Sequence, residues 1–135
     1  MSVVGEEFGR REIFLPDVLL AARAMQAGME ILRPHLAREG APVAGRVVLG
    51  AGRGDLHDIG KNLVGILLRG AGYEVINLGT DVSAARLLEA AESSGARVIG
   101  LSALLTTTMP RMAEVVALVR EKGLGERVKV LMEGV

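Results

Sequence analysis

A chain of 135 residues is long enough for one domain with a core of its own, and its 16 basic residues balance its 16 acidic ones, so no net charge draws it to nucleic acid or an anionic membrane. The absence of cysteine excludes disulfides and any thiolate-held metal cluster, and fits a cytosolic protein. With two Phe, one Tyr and no Trp, the core falls to Val, Leu, Ile, Ala and Met, which suits helices packed on both faces of a parallel sheet.

The amino terminus carries no basic stretch followed by an apolar one, so no secretory signal is visible. Apolar runs are broken by Gly, Arg or Glu short of the roughly 18–20 residues that a membrane span needs, and the chain reads as soluble and cytoplasmic. Over Leu15–Leu32, Pro16 suits a first helical turn, and Val18, Leu19, Ala22, Met25, Met29 and Leu32 recur at intervals of three and four. This predicts an amphipathic helix that needs a partner surface, other helices being the plainest one. His35, beside Pro34, has no identifiable partner and reads as a surface residue. Arg38–Gly45 holds two Gly and one Pro between periodic segments and reads as a linker.

From Arg46 onward apolar runs alternate with helical patterns, the mark of βαβ units and a parallel sheet. Strands are expected near 46–51, 73–78, 97–102 and 128–132, and helices near 58–71, 83–94 and 109–122. Right-handed crossovers then give an α/β, flavodoxin-like, doubly wound sheet, with a crevice where the chain leaves the first and third strands in opposite directions. Such a fold adds a helix and a fifth strand, so the chain is expected to be shortened at Val135. Residues 1–40 form a separate helical segment and 41–135 the sheet domain.

Gly54-Asp55-Leu56-His57-Asp58-Ile59-Gly60 falls on the loop after the first strand, at the crevice, and Ser102 ends the third strand opposite it. His57 offers an imidazole nitrogen to a metal, and Asp55 is placed to hold the other nitrogen. One histidine cannot by itself bind a bare ion, since zinc takes three or four protein ligands and hard cations several oxygens. A single axial ligand makes sense for a metal already held by a macrocycle. Asp58, at the start of the following helix, reads as its cap, whereas Asp55 does not. Gly60 inside a first turn costs about 1 kcal/mol against Ala, which a close ligand approach explains. The hydroxyls of Ser102, Thr106, Thr107 and Thr108 serve either as turn residues or as the polar lining of a cleft.

Asp55-Leu56-His57-Asp58-Ile59-Gly60 has the form D-x-H-x-x-G and resembles the signature of cobalamin-binding domains, including that of methionine synthase. Ser102-Ala103-Leu104 matches a second element of that signature, S-x-L, and Glu133-Gly134 keeps only the second glycine of a third, G-G. The runs Gly60-Lys61-Asn62-Leu63-Val64 and Ser102–Met109 are most similar to the corrinoid proteins of methyltransferase systems. The resemblance implies cobalamin or a related corrinoid, bound base-off with His57 as the lower ligand on cobalt. It implies contacts from Asp55, Asp58, Ile59, Gly60, Ser102, Leu104, Thr106 and Gly134, and a hydroxyl at Thr108 that bonds the Asp–His pair. It also implies that Phe14-Leu15-Pro16 and the Met-containing helix are the end of a partial helical cap over the corrin.

The function so implied is a methyl carrier that works with a donor-specific and an acceptor methyltransferase, a component and not a complete enzyme. The rival is a cobalamin-based sensor whose output domain lies outside this chain. A phosphoacceptor receiver needs an acid where Ser102 stands, and a mutase needs a catalytic barrel that this length excludes. Glu133, in place of the first glycine, is expected to turn outward, because a buried unpaired carboxylate beside an apolar or phosphate-bearing tail is costly.

Overall fold

The computed structural model describes residues 2–38 and 43–134. Its elements run α1 (Ser2–Gly9), α2 (Leu15–Arg38), β1 (Arg46–Ala51), α3 (Ile59–Gly70), β2 (Glu74–Asn77), α4 (Ala84–Ser94), β3 (Val98–Ala103), α5 (Met109–Glu121) and β4 (Lys129–Gly134). All four strands are parallel, in the order β2-β1-β3-β4. This is the expected flavodoxin-like winding. From β1 the chain turns through α3 to one side, and from β3 it turns through α5 to the other.

The local chemistry of the elements matches their ends. Val47–Ala51 is buried throughout, as a central strand covered on both faces requires. Ser83 caps α4 by accepting the Arg86 N–H at 3.3 Å, and Gly95 ends that helix in the left-handed region at φ 69°. Side chains of β1 and β3 that point one way, Val48, Ile99, Leu101 and Ala103, pack with Leu87 and Leu88 of α4 and Val115 of α5 into the main core. The opposite parity, Val47, Leu49, Val98, Gly100 and Ser102, faces α3 together with Leu131 and Glu133 of β4. Over β4 that face is thinly covered, and Leu131 remains 63% exposed.

Two helical expectations change. Helix α1 was not foreseen, since Gly5 and Gly9 leave its sequence without a periodic apolar stripe. Helix α2 extends beyond the predicted Leu15–Leu32 stretch, running through Pro34 to Arg38 without the hydrogen bond that Pro34, having no N–H, cannot donate. Val18 and Ala22 are its buried stripe, and the helix lies against α1 and α3. His35 is exposed, as read. The expected linker at 38–45 falls largely on residues 39–42, outside the described residues. Among the described residues, no helix is long and apolar enough to cross a membrane.

Candidate functional site

The β1–α3 loop is built around one carboxylate. Gly54, at φ 85°, takes a turn that an L side chain rarely adopts, and donates its N–H to Asp81 Oδ1 at 2.8 Å. The Asp55 N–H bonds back to Gly52 O at 2.9 Å, and the Asp81 N–H to Asp55 O at 3.0 Å. The neighbouring β2–α4 loop thus fixes the backbone on which Asp55 and His57 sit.

Asp55 is 0% exposed and accepts four hydrogen bonds. Oδ1 takes the His57 N–H at 2.9 Å and lies 3.0 Å from His57 Nδ1. Oδ2 takes the Leu104 N–H at 2.7 Å and the Thr108 hydroxyl at 3.1 Å. Thr108 has one hydrogen and a second acceptor, Leu105 O, at 2.8 Å, so its bond to Asp55 is shared. Burial pushes the Asp55 carboxyl up, but the bonds from the His57 and Leu104 amides, the His57 ring and Thr108 outweigh it and bring the pKa from 3.8 to about 2. An ionised Asp55 places the imidazole hydrogen on Nδ1, and among the described residues the Nε2 lone pair is unengaged. The His57 side chain is 52% exposed, at the carboxyl edge of the sheet.

Asp58 precedes α3 but does not cap it through its side chain. Its backbone, at φ −132° and ψ −4°, lacks the extended geometry that aims a cap oxygen at the first amides. The carboxylate instead accepts from Asn62 Nδ2 at 2.8 Å. Asn62 Oδ1 receives Lys61 Nζ at 2.7 Å and Asn77 Nδ2 at 2.9 Å, and Lys61 also donates to Asn77 Oδ1 at 2.8 Å. This network ties the first turn of α3 to the end of β2. Lys61 is 2% exposed, and burial pushes its amine below the usual value, with the Asp58 charge partly opposing. Its role went unread in the sequence, although it shares a helical face with Val64, Gly65 and Leu68.

Below the His57 loop a groove of about 350 Å³ runs between α3 and the thinly covered face of the sheet. Its polar end holds Lys61, Ser102 and Glu133, and its other end is apolar, with Leu49, Leu68 and Val98 among its walls. Gly100 in the floor makes room for the Leu49 side chain, which a Cβ there would run into. Glu133 stays exposed, as expected, but on the groove side of the sheet. Its pairing with Ser102 fixes its parity toward α3, and Oε1 comes within 3.0 Å of where a Gly60 Cβ would stand. The same alternation keeps Gly134, paired with Ala103, off the groove face.

The structure therefore joins Asp55, His57, Thr108 and the Leu104 amide in one bonded unit, with Ser102 and Gly60 beside the groove. Ile59 and Leu104 present exposed apolar side chains at this edge, as does Leu56, while Thr106 is exposed and makes no hydrogen bond among the described residues. Because the space next to Gly60 is bounded by the flexible end of a glutamate, Gly60→Ala is expected to leave apoprotein stability unchanged or raise it by up to about 1 kcal/mol in urea unfolding. Affinity for the corrinoid that the D-x-H-x-x-G resemblance implies, measured on the same preparation, is expected to fall severalfold as the methyl fills the space beside Glu133. Undiminished affinity would remove Gly60 from the binding surface.

No group of three or more His, Asp or Glu that could hold a bare ion occurs among the described residues. One oriented imidazole, flanked by apolar side chains and a groove, fits a metal that brings its own equatorial ligands. Fold and site together define an α/β domain with a histidine presented at the topological switch point.

Comparison with known proteins extends this. The family model described as "B12 binding domain" matches residues 45–135, and a second model of the same description matches residues 1–33. The chain is 45% identical to a corrinoid protein of Desulfitobacterium hafniense over 99% of its own length and 63% of the relative's. It is 44% identical to dimethylamine corrinoid protein 3 of Methanosarcina mazei, covering 99% of the chain and 81% of that protein. It superimposes with a TM-score of 0.86 and 37% identity on the methanol:cobalamin methyltransferase complex MtaBC of Methanosarcina barkeri, over 98% of the chain and 50% of that one. The chain belongs to the B12-binding family, among the corrinoid proteins of methyltransferase systems. It spans less than two thirds of the length of the Desulfitobacterium relative.

Proposed function

We propose that this chain is the corrinoid-binding part of a cytoplasmic methyl carrier, with His57 Nε2 as the lower axial ligand of a base-off corrinoid. The observation that carries the reading is the Asp55–His57 pair, four hydrogen bonds deep at the carboxylate and with Nε2 unengaged at the exposed edge. When bound, the corrinoid supplies a cobalt that accepts and yields a methyl group, chemistry that no side chain here provides. Asp55 holds the proton at His57 Nδ1 and fixes the ring, which directs Nε2 outward. Leu56, Ile59 and Leu104 offer apolar contact to a macrocycle, and the groove between α3 and β4 has room for the displaced base and its nucleotide tail.

Residues 41–135 form the binding domain and residues 1–40 part of a helical cap. The relatives are named for corrinoid proteins and a methyltransferase complex, which supports a donor-specific and an acceptor methyltransferase as partners. Purified apoprotein incubated with hydroxocobalamin and passed through gel filtration is expected to emerge coloured, with one corrinoid per chain. Colourless protein would overturn the reading.

A further inference from the structure

We propose that Glu133 determines which corrinoid tail the groove accepts, by setting a carboxylate against the phosphodiester that links a nucleotide tail to its ring. The inference rests on the corrinoid reading above and concerns a residue at which this chain departs from the family motif. Three observations converge at the polar end of the groove. The register Ser102↔Glu133 forces the glutamate to the groove side of the sheet, whatever its preference for water. Its Oε1 then lies over the first turn of α3, 3.0 Å from the place of a Gly60 Cβ, where unpaired amides of the helix start present their partial positive charge. Its carboxylate enters none of the ion pairs among the described residues and the residue is exposed, so solvent reaches it while it stands beside the helix start.

An anionic tail entering this groove meets opposing groups. Lys61, buried at the polar end of the groove and bonded among the described residues to the amide oxygens of Asn62 and Asn77, sets a positive charge beneath the path of a phosphate. Glu133 occupies the helix start that the phosphate would otherwise approach, adds a like charge, and narrows the mouth by the length of its side chain. A glycine there would leave both the space and the positive helix end open. Glu133 therefore penalises cobalamin, which carries the phosphodiester and base, and leaves cobinamide, which lacks both, unaffected.

The test is equilibrium dialysis of hydroxocobalamin and of cobinamide against the full chain, as wild type, Glu133→Gln and Glu133→Gly, with circular dichroism to confirm folding. Glu133→Gly is expected to tighten cobalamin binding about tenfold and Glu133→Gln severalfold, while cobinamide stays within about twofold for all three. Glutamine keeps nearly the same bulk, so it isolates the charge and also serves if the glycine variant folds poorly. Cobalamin affinity unchanged or weakened in the glutamine variant overturns the proposal, as does an equal gain for cobinamide. Failure of all three proteins to take up either compound overturns the corrinoid reading instead.

Discussion

His57→Ala is expected to abolish stable retention of corrinoid while leaving the apoprotein folded. The His57 side chain is half in solvent, and among the described residues its ring makes a single hydrogen bond, to Asp55. Its loss leaves Asp55 with the amides of residues 57 and 104 and the Thr108 hydroxyl as donors, so apoprotein stability should move by no more than about 1 kcal/mol. Binding is another matter. Partners behind a metal ligand typically contribute 10 to 100-fold in affinity, and removing the ligand itself should exceed about 100-fold. The visible spectrum of any corrinoid that remains should shift to that of a corrinoid with water below the metal. Imidazole added at millimolar concentration should restore the original spectrum, since it supplies the missing nitrogen at the place the ring left. A substituted holoprotein whose spectrum matches the wild type would show that His57 is not the ligand.

How much of this was legible beforehand depends on what each residue's position rests on. The alternation of strands and helices could be read because β1 is a continuous apolar run buried on both faces and α4 is bounded by Ser83 and Gly95. Placement of the His57 loop opposite Ser102 followed from winding rules alone, and the order β2-β1-β3-β4 bears it out. Glu133 is exposed as read, but its placement on the groove side was not legible because the face it occupies depends on register. Shifting β4 by one residue against β3 exchanges the faces of Glu133 and Gly134, and strand ends read from sequence are uncertain by more than that. Asp58 was misread because capping depends on φ and ψ, which residue type does not fix. Lys61 was passed over because lysine is assumed to seek water, whereas here two asparagine oxygens, one from α3 and one from β2, receive its ammonium.

The bonds to Asp55 also explain why the β1 and β3 loops act as one piece. Thr108 stands at the start of α5, where a hydroxyl ordinarily caps the helix, yet it makes no such bond and turns to Asp55 and Leu105 O instead. The Leu104 amide, just past the end of β3, does the same at shorter range. Two segments 49 to 53 residues apart in sequence are thereby clamped on one buried anion. A ring held from behind in this way has little freedom to rotate, which is what a single axial ligand requires if Nε2 is to meet a metal at a fixed height above the sheet.

Asp55→Asn tests that clamp and should weaken both the fold and the binding. An amide keeps one acceptor oxygen, and the His57 N–H and Nδ1–H at Oδ1 can retain it. The NH2 group then faces the other pair. Thr108 can adapt, because its hydrogen has Leu105 O to go to and its oxygen can accept from the new amide. The Leu104 N–H cannot, and a buried donor facing a donor costs about 1–3 kcal/mol in urea unfolding near neutral pH. Acid should narrow the difference. The wild-type carboxyl is depressed in the folded state to about 2 from 3.8, so its stabilising contribution is present above the higher value and is lost as pH falls through the lower. The gap between the two proteins is therefore expected to shrink by roughly 1–2 kcal/mol between about pH 5 and pH 2. A gap that stays constant over that range would remove the ionised Asp55 from the account. In binding, the neutral amide still holds the Nδ1 tautomer but no longer lends the ring a full negative charge, so corrinoid affinity should drop about 10 to 100-fold while the axial nitrogen stays in place. The spectrum distinguishes the two substitutions: unshifted with weaker retention for Asp55→Asn, shifted for His57→Ala.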